Sequence, residues 1–242
     1  MKEIKVFALV GGFMAALAIN AANAASVVIV ANGAGGGPIL VTSGGGDINL
    51  GTRLRVGTFL DFTVLNNTIS AYLSGSQDYA GTLLALNNNF ADLGTNVTNY
   101  GNASQTGTGT SSSQFVFNTT ASLTINGTSG TRNVANGQIQ NVNYTSSIGV
   151  SKSVYLWTAY NNEIGIVRGS SWTTPTSDLT GLTLNMSAIT GSNGGVLLGS
   201  YTDYASGNDT IGLVAAVPEP STGALMMIGA AGLVALRRLR KV

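Results

Sequence analysis

The sequence predicts a mainly β chain: a single β-sandwich-like domain with one short helix, flanked by an N-terminal signal peptide and a C-terminal transmembrane helix. Three observations point there. Gly, Ser, Thr and Asn dominate, with 33 glycines and only 9% charged residues, a composition that favours turn-rich β structure over helix. Short β-branched and aromatic runs recur between Gly- and Asn-rich clusters. Apolar residues fall closer to helical spacing in one stretch of the central region.

The elements follow in order. Val27 to Ala31 and Ile39 to Thr42 flank a glycine-rich turn at 32–38. Arg53 to Phe59 alternates polar and apolar side chains, as a half-buried strand does. From Asp78 to Leu93 the apolar positions 79, 83, 84, 86, 90 and 93 form a helical stripe, weakened by Asn87-Asn88-Asn89. The expected helix has three or four turns, turns Phe90 and Leu93 to the core, and stops at Gly94. Residues 96–114 are low-complexity Asn, Thr, Gly and Ser and read as a mobile loop. Phe115 to Asn126 alternates again, and Ile139 to Tyr144 does so less regularly. Val154 to Tyr160 and Ile164 to Val167 are the most strand-like runs, joined by Asn161-Asn162-Glu163 as a hairpin. Leu182 to Leu184, Val196 to Tyr201 and Ile211 to Ala215 complete the strands.

Both ends carry targeting patterns. Met1-Lys2-Glu3-Ile4-Lys5 is a charged n-region, and Val6 to Ile19 is an apolar h-region. Ala22-Asn23-Ala24 matches a small-x-small cleavage site, so residues 1–24 read as a secretory signal peptide, with cleavage one step later as a second option. No Arg pair precedes the h-region, which favours the general secretory translocon as the export partner. The mature domain then spans 25–216.

At the other end, residues 217–242 form a second unit. Val217-Pro218-Glu219-Pro220-Ser221-Thr222-Gly223 opens an apolar run that stops on Arg237, Arg238, Arg240 and Lys241. Ser221 to Leu236 is 16 residues, about 24 Å as a helix, slightly short of a usual span. Leu239 and snorkelling Arg stems extend it, and Gly223, Gly229 and Gly232 give it a small-residue face. The four basic residues at 237–241 place the C-terminus on the cytoplasmic side of the inner membrane. Pro218 and Pro220 break any upstream helix and hold the segment around Glu219 extended.

This order, a Pro-Glu-Pro break, a short apolar helix and a basic stop, resembles the PEP-CTERM sorting signal of Gram-negative bacterial surface proteins. The resemblance implies export, transient tethering in the inner membrane, and processing near Pro-Glu-Pro by an exosortase-type enzyme. It implies delivery to the cell surface or an extracellular matrix, with exopolysaccharide as a candidate partner there. The tail type also carries the label "ice-binding protein C-terminal domain", which describes the sorting segment and does not imply ice binding. A looser likeness lies in 49–59, in Val154 to Asn161, and in the following Glu163-Ile164-Gly165-Ile166 and Ser171-Trp172-Thr173-Thr174-Pro175. These are similar to segments of PEP-CTERM proteins from Verrucomicrobia-like bacteria, and the similarity brings no activity with it.

Composition narrows the chemistry of the domain. With no Cys and no His, disulfides, thiolate nucleophiles, imidazole bases and the common zinc ligand sets are excluded. Arg53, Arg55, Arg132, Lys152 and Arg168 face eight acids between 25 and 217, a net charge near −3. That gives no footprint for nucleic acid. The acids are Asp47, Asp61, Asp78, Asp92, Glu163, Asp178, Asp203 and Asp209. Asp178 with Asp203, or Glu163 with Asp178, is a nominal glycosidase pair, but nothing singles these acids out and they read as turn acids solvating loops. Gly44-Gly45-Gly46-Asp47 lacks the Lys-Ser/Thr of a phosphate-binding loop, and Asp203 with Asp209 lacks EF-hand spacing. No catalytic residue, metal site or cofactor is therefore assigned.

The expectation is a non-enzymatic surface or matrix protein. The alternative is a secreted carbohydrate-binding or carbohydrate-degrading module with the same tail. For that alternative Trp157, Tyr160, Trp172, Tyr201 and Tyr204 are the aromatics to consider. Trp157 sits among apolar neighbours as a core residue, while Trp172 in its polar setting is the candidate glycan contact. Eight Asn-x-Ser/Thr triplets, among them Asn66, Asn96, Asn118, Asn126 and Asn143, make glycosylation of the exported body a further expectation. A regular threonine ladder for ice binding is absent: Thr106-Gly107-Thr108-Gly109-Thr110 does not recur.

Overall fold

The computed structural model describes residues 25–30, 37–93, 115–142 and 144–217. The signal peptide, the 96–114 loop, the Gly94 stop and the tail beyond Val217 lie outside the described residues. Among those described, no helix is long and apolar enough to cross a membrane.

The fold is mainly β. Strands β1 (Ala25–Val30), β2 (Ile39–Val41) and β3 (Arg53–Phe59) come first, then helices α1 (Phe62–Leu73) and α2 (Tyr79–Asn88). Strands β4 (Phe90–Asp92), β5 (Phe115–Ile125) and β6 (Thr128–Val142) follow, then a single turn α3 (Tyr144–Ser147). The hairpin β7 (Tyr155–Tyr160) and β8 (Glu163–Val167) precedes β9 (Leu182–Asn185) and a 3-10 turn at Met186–Ala188. Short strands β10 (Val196–Leu198), β11 (Ser200–Thr202), β12 (Thr210–Gly212) and β13 (Val214–Ala215) close the domain.

One sheet runs β10-β8-β7-β3-β5-β6-β1-β9, with β13 also on β8 and β4 also on β3; a second runs β11-β12-β2. Most pairs are antiparallel, while β1 with β9 and β12 with β2 are parallel. The centre is the trio β3, β7 and β8, covered on both faces. Tyr155, Trp157, Ala159, Ile164 and Ile166 meet Leu65, Ile69, Tyr72, Leu83 and Leu86 of the helices. On the other side Leu54, Val56, Leu156 and Val167 pack with Val27, Leu40, Leu184, Ile211 and Trp172. Burial on both faces explains why β7 reads as a nearly continuous apolar run.

Two helices, each of ten residues or more, replace the expected one. Helix α1 was unforeseen because Thr63, Val64, Asn66, Asn67, Thr68 and Ile69 are all weak helix formers. Tertiary burial of Leu65, Thr68, Ile69 and Tyr72 on one stripe overrides that propensity. Asp61 caps its start by accepting from the Thr63 and Val64 N–H groups at 2.7 and 3.2 Å. At its end Gly75 takes φ +71°, with Gly75 N–H on Tyr72 O and Ser76 N–H on Ala71 O, the two bonds of a Schellman stop. Helix α2 ends at Asn88, so Phe90 and Leu93 reach the core from a strand and the residue after it, rather than from a helix.

A buried arginine pairs with an acid on the neighbouring strand and ties the sheet to α2. Arg55, 2% exposed, donates through Nε to Asp92 Oδ1 at 2.8 Å, through Nη2 to Asp92 Oδ2, and through Nη1 to Asn87. Its guanidinium also lies 4.9 Å from the Phe90 ring and 5.1 Å from Trp157. Burial pushes the Asp92 carboxyl up while Arg55 pulls it down.

Candidate functional site

The site that geometry singles out surrounds β13 and Val217, the last described residues before the tail and so the exit toward it. Leu213 N–H donates to Val41 O at 2.8 Å, fixing the crossing from the small sheet to the large one. Next, β13 pairs antiparallel with β8, Val214 opposite Ile164 and Ala215 opposite Glu163. Ala216 N–H then reaches Asn162 O at 3.2 Å. Val217, 45% exposed, lies over Gly75, where an added Cβ would stand 3.3 Å from its Cγ1.

One side chain holds these pieces together. Tyr72, fully buried on α1, places its hydroxyl 2.9 Å from Val214 O and 3.1 Å from Asn162 O. The α1 C-terminus, the β7–β8 turn and the exit strand are thereby pinned at one point. Burial, with the nearby Tyr79 and Glu163, pushes the Tyr72 phenol well above its ordinary value. The turn is built for this: Asn161 and Asn162 both take positive φ, 48° and 62°, the left-handed pair that a two-residue hairpin needs. Glu163, next in line, accepts from Ser43 N–H at 2.7 Å and from the Ser43 hydroxyl, tying the 42–46 loop to β8.

The sequence-predicted residues distribute unevenly around this point. Val217 is at the exit itself. Pro218, Glu219, Pro220, the basic Arg237, Arg238, Arg240 and Lys241, and the signal positions Ala22 and Ala24 lie outside the described residues. Trp172 contradicts its polar surroundings: it is 1% exposed, packed in the main core against Gly169, where a Cβ would fall 2.5 Å from the indole nitrogen. It presents no stacking face to a sugar. Trp157 is buried as expected.

Three of the nominated acids, Asp178, Glu163 and Asp209, are held by separate local partners. Asp178 accepts from Thr145 N–H at 2.9 Å, and that bond holds its carboxyl below the usual range, opposite to what a general acid requires. Glu163 is held by Ser43, and Asp209 by the Tyr201 hydroxyl and Tyr204 N–H. Among the described residues no three acids gather as a metal site. An apolar cavity lined by Pro38, Leu54, Phe117 and Met186 has about 10 Å³ of free volume, no more than one water needs.

Sequence reasoning missed Tyr72 and Gly75 as parts of the exit. The Leu73-Ser74-Gly75 helix stop was the available signal for the second.

Comparison with known proteins agrees with the position of this exit. Residues 216–241 match the PEP-CTERM protein-sorting motif, beginning on the last two described residues of the domain. No curated protein and no solved structure matches the chain. The chain carries, at residues 216–241, the PEP-CTERM protein-sorting motif that marks exported proteins for exosortase processing.

Proposed function

We propose that this is a non-catalytic protein of the cell surface or extracellular matrix, exported by the secretory translocon. In this reading residues 221–236 hold it in the inner membrane until an exosortase-type enzyme cuts near Pro218-Glu219-Pro220. The observation that carries the reading is the join: the matched motif starts at Ala216, within the last hydrogen-bonded contacts of the domain. Exopolysaccharide is the matrix partner in this reading, met by the Ser/Thr/Asn-rich loops or their glycans. The carbohydrate-module alternative loses its nominated contact, because Trp172 is buried.

Fractionation of the native host tests the proposal. Wild-type protein is expected in the surface or matrix fraction, and a Pro218→Ala, Glu219→Ala, Pro220→Ala variant in the inner membrane. Equal partitioning of both to the inner membrane would refute release.

A further inference from the structure

The exit geometry constrains more than the address. Three residues, 218–220, separate Val217 on the domain surface from Ser221, the first residue of the segment read as membrane-held. Fully extended, the four steps from Val217 to Ser221 span about 13–14 Å. The segment itself, about 24 Å as a helix, is shorter than the ~30 Å hydrocarbon core, a mismatch that draws flanking residues toward the headgroups. The domain thus has no slack with which to stand away from the bilayer, and the part brought closest is the exit face.

That face is suited to the contact. The three segments that converge there, 62–77, 154–162 and 210–217, contain no Asp, Glu, Lys or Arg. Leu73, two residues before Gly75, is 48% exposed, and Val217 beside it 45%. Two acids border the face: the exposed Asp78, which accepts from Gly81 N–H at 2.7 Å, and the half-buried Glu163, held by Ser43. Its centre, with apolar side chains and no charge, loses little on resting against the headgroup region, whereas the ionised border acids limit how deep it sits.

We infer that, in the membrane-tethered state, the exit face formed by the α1 C-terminus, the Asn161-Asn162 turn and Val217 rests on the outer surface of the lipid bilayer. The occupant is the lipid headgroup layer. Contact comes from the short tether, without a basic patch to bind lipid independently. The processing enzyme then meets the motif in the narrow gap between domain and membrane. The inference rests on the proposed reading of 221–236 as the membrane-held segment.

The absence of cysteine makes the test direct. The full chain, carrying one fluorophore-labelled cysteine at a time, is reconstituted into phosphatidylethanolamine/phosphatidylglycerol vesicles doped with headgroup-region spin-labelled lipid or, for the label at 228, with lipid spin-labelled deep in the acyl chain. The three variants are Leu73→Cys, Thr131→Cys and Ile228→Cys. Thr131 is exposed on β6, four strand positions from β8, or about 19 Å at ~4.8 Å per strand. The expected result is loss of fluorescence at 228 and at 73, with none at 131. A Gly/Ser insert of about 20 residues after Val217, spanning about 25 Å, should abolish the loss at 73 alone. Loss at 228 with none at 73 overturns the inference and leaves the membrane-held tail intact. No loss at 228 overturns both. Loss at 73 that survives the insert overturns the tether as its cause.

Discussion

Tyr72 and Val214 stand 142 positions apart in the chain, yet the phenol of the first lies 2.9 Å from the carbonyl of the second. The same hydroxyl is 3.1 Å from Asn162 O, whose carbonyl also takes Ala216 N–H. The last strand before the sorting motif is therefore secured by a buried residue of the helical layer. Tyr72→Phe keeps the ring and removes this bond. It should cost about 1 kcal/mol of unfolding free energy, read from urea midpoints, since a buried carbonyl loses its donor. Limited proteolysis should also cut faster around 214–217.

Alkaline pH should weaken the fold through its tyrosines. Burial raises the phenols of Tyr72, Tyr79 and Tyr144; burial with Asp209 pushes Tyr201 up to about 12. Unfolded phenols release their protons near pH ~10, while the folded ones keep theirs. Above that pH the unfolded state binds fewer protons, so stability is full below about pH 10 and falls as pH rises toward the folded values. Urea midpoints at about pH 9 and pH 11 check this, and Tyr72→Phe should show the shallower decline.

The Arg55–Asp92 pair is expected to behave as a unit. Arg55→Met strands a buried carboxylate and should cost about 3–5 kcal/mol. Adding Asp92→Leu should recover much of that loss, because the pair then gives way to apolar contacts with Phe90 and Trp157. A double-mutant cycle by denaturant unfolding measures the coupling, and strictly additive losses would contradict it.

Both tryptophans should report a dry interior. Trp157 and Trp172 are 0% and 1% exposed, so emission should be blue-shifted, resist acrylamide, and stay unchanged on titration with soluble exopolysaccharide. Trp172→Ala should destabilise by about 3–5 kcal/mol. A saturable emission change on glycan addition would revive the carbohydrate-module reading.

The β7–β8 turn should tolerate glycine and reject branching. Asn162, at φ 62°, becomes neutral or slightly more stable as Gly, whereas Asn162→Val should cost about 1–2 kcal/mol. Thermal unfolding of the two variants checks the sign of each change.

These elements also show what could be read in advance. Arg53 to Phe59 and the β7–β8 hairpin were legible because alternation, β-branching and an Asn-Asn turn are local signals. Strand β6 was legible only at its end, since 128–138 is polar and Gly-rich. It is held by pairing with β5 on one edge and β1 on the other. Val196 to Tyr201 and Ile211 to Ala215 each looked like one strand. In the fold Gly199 and Leu213 divide them between the two sheets, a decision made by distant partners. Trp172 was misplaced for the same reason: Ser171, Thr173 and Thr174 describe its neighbours in the chain, not the core it enters. The sorting tail was legible because its pattern is local and compositional.

The most direct test of sorting through that tail is the C-terminal mass of the mature protein from native cells. It is measured beside the Pro218→Ala, Glu219→Ala, Pro220→Ala variant. Processing by an exosortase gives a wild-type C-terminus near Pro220 and an uncleaved variant. A C-terminus at Val242 in both would mean the tail is a permanent anchor, and the exosortase reading would fail.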